Sequence, residues 1–197
     1  SFQTAILIGR AKGIDIRNHG SGNAGATNTL RVLGKKSAIV VFIGDMLKTV
    51  IAVLIAWLIF KDLSISSPLI VSIYAGLGAI LGHNWPIYFH FKGGKGIAVS
   101  VATLLMLDYR IGLIGGAIFI ICVLITRYVS LGSILLTLSA PISLIIFYSQ
   151  ASYFIEAMVV ITAIPALAIY RHIPNIKRLF NGTESKIGQK RSSVSNE

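Results

Sequence analysis

The sequence predicts an all-α fold: a polytopic membrane protein of seven transmembrane helices, the first truncated in this chain, with glycine-rich loops on the inner face. Three observations carry that expectation. Hydrophobic residues fill 54% of the 197 positions and charged residues only 13%, about half the share in an ordinary soluble domain, and mean hydropathy is +0.78. The apolar residues fall in long runs and not in strand-like alternation. The basic residues behind a formal charge of +11 gather in clusters that a threaded topology places on one side.

A helix needs about 20 residues to cross ~30 Å of hydrocarbon. Ser37–Phe60, Pro68–Phe91, Ile111–Thr126, Leu131–Tyr148 and Tyr153–Tyr170 approach that length. Ile97–Leu107 is shorter, and the glycine-rich segment before it is expected to reach membrane depth by lying against protein. Phe2–Gly9 is half a span at most, and the chain opens on Ser, so the first helix is expected to be incomplete. With the block from Arg10 to Lys36 placed inside, Ser37–Phe60 leaves Lys61 and Asp62 outside. The remaining runs then return Lys92, Lys95, Arg127 and the block from Arg171 to Arg191 to the inner side, as basic loops of membrane proteins prefer. Residues 1–188 read as one integral membrane domain and 189–197 as a polar cytoplasmic tail. Neither basic block is interleaved with stacking aromatics, so nucleic acid is not an expected partner. The single cysteine, Cys122, lies in an apolar run and can build neither a disulfide framework nor a cysteine metal site.

His19–Asn28 reads HGSGNAGATN, and Gly20, Gly22 and Gly25 satisfy the G-x-G-x-x-G dinucleotide fingerprint, with Asp45 twenty residues beyond. That reading fails by context. Asp45 falls inside a long apolar run, where Lys48 at i+3 is its natural partner. The glycines instead suit a nest of backbone N–H groups for phosphate oxygens. Ser21, Asn23, Thr27 and Asn28 add donors, and Arg31 adds a bidentate charge. A second segment, GHNWPIYFHFKGGKG, sets Lys92 and Lys95 around Gly93 and Gly94 at the start of a helix, a good phosphate site. Lys95 is the better ligand, whereas Lys92 serves equally well as a topology anchor. Trp85 reads as an interfacial anchor. His83 and His90 match no metal spacing, and neither metal nor cofactor is expected. A third segment joins RYVSLGS to YRHIPNIKRLFNGTESKIG. There His172 and Asn175 share a helical face, and Pro174 is expected to break the helix. His172 is expected to be neutral and able to exchange a proton, or else to cap a helix C-terminus. These residues predict a phosphate-bearing substrate met at the inner membrane surface.

At the three segments GSGNAGATN with Arg31, GHNWPIYFHFKGGKG, and RYVSLGS with RHIPNIKRLFNGTE, the chain resembles the PlsY family. These are bacterial membrane acyltransferases that acylate glycerol 3-phosphate from acyl phosphate. The resemblance spans about Ser1 to Gly188 and implies seven transmembrane helices in the bacterial inner membrane with the site on the cytoplasmic face. It implies transfer of a fatty acyl group from acyl phosphate to the C1 hydroxyl of sn-glycerol 3-phosphate, giving 1-acylglycerol 3-phosphate and phosphate, without an acyl-enzyme. By carry-over, Ser21, Gly22, Asn23, Gly25, Thr27 and Asn28 hold the acyl-phosphate head. Arg31, Gly93, Gly94, Lys95, Ser133, His172 and Asn175 line the glycerol 3-phosphate site, with Ser130 as second choice beside Ser133. Ser21, Arg31, His172 and Asn175 are the expected catalytic set, with His172 or the substrate's own phosphate as base, the phosphate favoured. Glu184 resembles a structural glutamate paired with a basic neighbour. Membrane lipid and a soluble enzyme that makes acyl phosphate are the implied partners. The H-x-x-x-x-D pattern of soluble and peripheral glycerolipid acyltransferases follows none of the four histidines. Pro174 departs from the family's third motif. The alternative class is a transporter of an anionic phosphorylated metabolite, although inverted repeats are not evident.

Overall fold

The computed structural model describes residues 1–61 and 67–189. Asp62, expected in an outer turn, and Lys190, Arg191 and the rest of the polar tail after Gln189 lie outside the described residues. The described chain forms α1 (Thr4–Ala11), α2 (Ala26–Phe60), α3 (Pro68–Asn84), α4 (Ile97–Leu107), α5 (Tyr109–Thr126), α6 (Val129–Tyr148) and α7 (Phe154–Phe180), with two short 3₁₀ turns at Ile16–Asn18 and Ile87–Phe89. No strand occurs among the described residues. By length and composition α2, α5, α6 and α7 can each cross a membrane, and α4 is a shorter apolar helix.

Local chemistry sets the boundaries. The helix before the expected second span starts eleven residues early, because α2 runs from Ala26 through a break at Gly34 (φ 81°, ψ 179°). Only glycine adopts that conformation without strain, so Ser37–Phe60 reads correctly as the straight part of a longer, kinked helix. α3 stops at Asn84 and not at Phe91. Trp85 precedes Pro86, and the residue before proline is driven out of the helical region. The break expected at Pro174 does not occur: α7 carries both Pro165 and Pro174 and continues to Phe180. Proline 174 withholds one N–H from the carbonyl of Tyr170, a residue 59% exposed at the helix surface, and the rest of the ladder holds the helix.

The packing is inside-out by the standard of a soluble domain. Ile43, Leu47, Leu124, Ile125, Ile146 and Val159 are more than half exposed, an apolar belt that hydrocarbon can cover. Within the bundle, Ile73, Ile80, Leu104, Ile111, Leu136, Leu144 and Ile161 form the core between α3, α4, α5, α6 and α7. A second, smaller cluster of Ala5, Ile6, Ile16, Ala24 and Val41 holds α1 and the following loop against α2. Close helix approach needs small residues. At Gly76 an added Cβ would stand 2.1 Å from Thr103 Cγ2, where α3 crosses α4.

The buried faces change character toward one end of the bundle. On α7 the buried stripe runs Ala157, Val160, Ile161, Ile164 and Ala168, and then becomes His172 and Asn175. On α3 it runs Ile73, Gly76 and Ile80 and ends in His83. The periodicity that buries apolar residues in the middle therefore delivers polar ones to a single end. The opposite end is closed by Asp108, which accepts from Tyr148 Oη (2.8 Å) and pairs with Arg110 (2.6 Å). Gly76→Val should lower the melting temperature in detergent by an amount matching an overpacking cost of ~1–3 kcal/mol, measured by thermal unfolding of the purified protein. An unchanged melting temperature would mean α3 and α4 do not touch there.

Candidate active site

Three helices begin at one cleft of about 270 Å³. It is lined by Gly25, Ala26 and Thr27 of α2, Gly96, Ile97 and Ala98 of α4, and Val129, Ser130 and Ser133 of α6. The first backbone N–H groups of a helix lack intrahelical partners and carry the positive end of its dipole. None of the three has an acidic residue in its first turn. Their positive ends are thus uncompensated by their own sequence, and the walls add Arg31 and Lys95. An anion is what such a cleft binds. A second, open cavity of about 820 Å³, lined by Arg17, Lys92, Arg171 and Arg178 among others, adjoins the first. Ser21, Asn23, Lys95 and Asn175 line both, so these four mark the junction.

The glycine-rich loop before α2 is braced from within. The Asn28 side chain accepts from the Ser21 N–H (2.8 Å) and donates to the carbonyls of His19 (2.9 Å) and Ile16 (3.2 Å). It is 1% exposed. Asn28 is therefore engaged in shaping the loop, and it lines the cleft together with Ser21, Asn23 and Thr27. Gly22 lines the outer cavity, and Gly25 forms the start of α2.

Lys95 is placed by a network centred on Glu184. The Lys95 ammonium donates to Asn175 Oδ1, and Asn175 Nδ2 donates to Glu184 Oε1 (2.7 Å). Ser130 Oγ donates to the same oxygen (2.7 Å), and Arg178 Nε to Glu184 Oε2 (2.7 Å). Glu184 reaches in from the chain that folds back after α7, fastened where the Ile187 N–H donates to the Arg127 carbonyl (2.9 Å). The basic neighbour of this glutamate is Arg178. Ser130 is thus committed to Glu184, while the Ser133 hydroxyl donates to the Val129 carbonyl (2.8 Å) and keeps its lone pairs for a ligand. His172 Nδ1 lies 2.7 Å from the Ala168 carbonyl. A carbonyl only accepts, so Nδ1 carries a proton, and in the neutral ring Nε2 holds the lone pair.

The Gly93–Gly94 turn is held from two sides. Arg171 donates to the carbonyls of Gly94 (2.8 and 3.1 Å) and Gly93 (3.2 Å), with its guanidinium 5.5 Å from the Trp85 ring centroid. Trp85, expected as an interfacial anchor, thus sits beneath Arg171. The Gly94 N–H donates to the His83 carbonyl (3.2 Å). A Cβ at Gly94 would come within 2.1 Å of His83 Nε2, so no larger residue fits. Gly93 lines the outer cavity.

The structure also adds residues that the motifs did not single out. Phe42, Asp45, His83 and Phe119 line the inner cleft, and Arg171 grips the loop. Asp45 pairs with Lys48 at 2.8 Å, as their spacing predicts. His83 belongs to the second glycine-rich segment, but its spacing there speaks only to a metal ligand, and no sequence signal placed Phe119 of α5 beside the cleft. Among the described residues no three His, Cys, Asp or Glu side chains group as metal ligands.

Burial lowers the Lys95 ammonium to about 8, with Arg178, Arg171 and Arg31 adding to the fall and Glu184 opposing it. Burial alone would raise the Glu184 carboxyl, but hydrogen bonds from Asn175, Ser130 and Arg178 overcome this and hold it below its ordinary value. Two outcomes follow. With Lys95 lowered to about 8, a bound anion favours its charged form, and phosphate binding near pH 8 should take up to about half a proton. Calorimetry in buffers of different ionisation enthalpy measures this, and Lys95→Met should abolish it. For Glu184, a folded value below the unfolded one gives stability that is present above the ordinary carboxylate range and lost as pH falls through the folded value. Glu184→Gln should flatten the acid limb of a melting-temperature profile.

Comparison with known proteins identifies the family. Residues 1–182 match the family described as glycerol-3-phosphate acyltransferase. The chain is 45% identical over 185 residues to the glycerol-3-phosphate acyltransferase of Thermoanaerobacter pseudethanolicus, covering 94% of this chain and 88% of that protein. It is similar in structure to PlsY, an integral membrane glycerol 3-phosphate acyltransferase, in its glycerol 3-phosphate form, with a TM-score of 0.83 and 40% identity over 94% of this chain and 88% of that one. The lysophosphatidic acid form of PlsY matches with a TM-score of 0.79 and 40% identity over 93% and 87% of the two chains. The chain is an integral membrane protein of the glycerol-3-phosphate acyltransferase family.

Proposed function

We propose that the protein transfers a fatty acyl group from acyl phosphate to the C1 hydroxyl of sn-glycerol 3-phosphate, at the cytoplasmic face of a bacterial inner membrane. The observation that carries this reading is the convergence of three helix N-termini, Arg31 and Lys95 on one cleft that meets an open basic cavity. Such a site has capacity for two phosphates side by side. Solved relatives in glycerol 3-phosphate and lysophosphatidic acid forms support the acceptor and the product.

In this account Ser21, Gly22, Asn23, Gly25 and Thr27 cradle the acyl-phosphate head at the start of α2, and Asn28 shapes that cradle. The acyl chain leaves the cleft past Phe42 and Phe119 toward lipid. Glycerol 3-phosphate arrives through the outer basic cavity, and Arg31 and Lys95 hold its phosphate with Ser133, His172 and Asn175 around the glycerol. The C1 oxygen attacks the acyl carbonyl carbon, forming the ester as the bond from that carbon to the phosphate oxygen breaks. The hydroxyl proton passes to an oxygen of the departing phosphate, and the Nε2 lone pair of His172 orients the hydroxyl. An acyl phosphate is an activated mixed anhydride, so positioning and charge neutralisation suffice. No protein nucleophile takes part.

Purified full-length protein given palmitoyl phosphate and labelled glycerol 3-phosphate should form labelled lysophosphatidic acid and inorganic phosphate in equal amounts. Formation of none would reject the reading, and labelled glycerol 3-phosphate accumulating inside vesicles would favour transport. His172→Ala and Ser21→Ala should lower kcat by ~10²-fold or more while leaving folded protein. Lys95→Ala should raise the glycerol 3-phosphate KM by ~10–100-fold, the scale of a lost charge-assisted hydrogen bond. An acyl group trapped covalently on Ser21 would overturn direct transfer.

A further inference from the structure

We propose that Asp45, Lys48 and His83 form a buried positioning relay that fixes the Gly93–Lys95 loop, and through it the Lys95 ammonium, for glycerol 3-phosphate. This rests on the function proposed above. Asp45 and Lys48 are 2% and 8% exposed, in the membrane-spanning part of α2. A buried ion pair gives little net stability over apolar packing of the same volume, and in a membrane helix such residues point to function. Their hydrogen bonds show what that function is.

Lys48 Nζ has three partners: Asp45 Oδ1 (2.8 Å), the Phe2 carbonyl (2.9 Å) and His83 Nδ1 (2.8 Å). Thr4 Oγ1 donates to Asp45 Oδ1 (3.0 Å) and holds the carboxylate from the other side. An ammonium has no lone pair, so His83 Nδ1 must be the acceptor and Nε2 carries the ring proton. The pair thereby fixes both the tautomer and the direction of the His83 ring. That ring lies against Gly94 so closely that a Cβ there would be 2.1 Å from Nε2. The His83 carbonyl, at the end of α3 where the helix no longer supplies donors, accepts from the Gly94 N–H (3.2 Å) and from Gln3 Nε2 (2.9 Å). The next residue is Lys95. The path from α2 to the anion site is therefore Asp45, Lys48, His83, Gly94, Lys95, each step a contact of the structure. An apolar trio would fill the same space without aiming the ring.

The relay acts through Lys95, so its effect must vanish when Lys95 is gone. Glycerol 3-phosphate affinity is measured by calorimetry on the full chain in detergent, for wild type, Lys48→Met, Lys95→Ala and the double variant. Lys48→Met should weaken binding ~5–20-fold, and the double variant should bind within about twofold of Lys95→Ala alone. Multiplying effects, or wild-type affinity in folded Lys48→Met, would overturn the relay. If Lys48→Met does not fold, Asp45→Asn, which keeps the side-chain shape, tests the same point. It should weaken binding by a smaller factor that again disappears in the Lys95→Ala background. Wild-type protein that binds glycerol 3-phosphate but makes no lysophosphatidic acid from palmitoyl phosphate would defeat the proposed donor, while the binding cycle still judges the relay.

Discussion

Three helix dipoles aimed at one cleft, with no acidic residue in any of the three first turns, create a positive potential that the fold must contain. Glu184 is what contains it. This carboxylate accepts from Ser130, Asn175 and Arg178 at 2.7 Å each, and Asn175 in turn takes the Lys95 ammonium. Remove it and the positive groups face one another in a cleft of low dielectric, where repulsion is barely screened. Glu184 gathers these groups without neutralising them, and Asp45, the other carboxylate lining the cleft, is already paired with Lys48. The surplus is the affinity for anions, and Arg178, Arg171 and Arg31 add to the fall that burial imposes on the Lys95 ammonium.

The membrane setting explains why the architecture takes this form. With an exterior of Leu, Ile and Phe facing hydrocarbon, the bundle buries small and polar residues between helices, as Gly76 against Thr103 shows. The site needs polar backbone at membrane depth, and irregular backbone is tolerated there only against protein. The Gly93–Gly94 turn satisfies that rule through Arg171 on one side and His83 on the other. α4 runs only Ile97–Leu107, and at 1.5 Å per residue it is long enough for about half the hydrocarbon.

The long apolar runs made the helical membrane class legible, because burial in lipid leaves an imprint on every residue of a span. Asp45 and Lys48 were legible as a pair because i and i+3 share a helix face. His172 and Asn175 were legible for the same reason, and both line the cleft. Proline misled in one place: Pro174 looked like a breaker, yet the rest of α7 outweighs a single missing N–H. Contacts between distant helices left no local signal. Arg171 reaching Gly93 and Gly94, and Asn28 bracing its own loop at the edge of the cleft, depend on tertiary placement that no spacing encodes. The roles of the three glycine motifs came from the resemblance to a family, whereas their convergence at one end of the bundle came from the structure.

The proposed transfer requires both phosphate-bearing substrates to occupy the site together, with the acyl group passing directly between them. Initial rates with palmitoyl phosphate and glycerol 3-phosphate varied together test this most directly. Direct transfer within a ternary complex predicts double-reciprocal lines that intersect. Parallel lines, the pattern of an acyl-enzyme that releases phosphate before the acceptor binds, would contradict it.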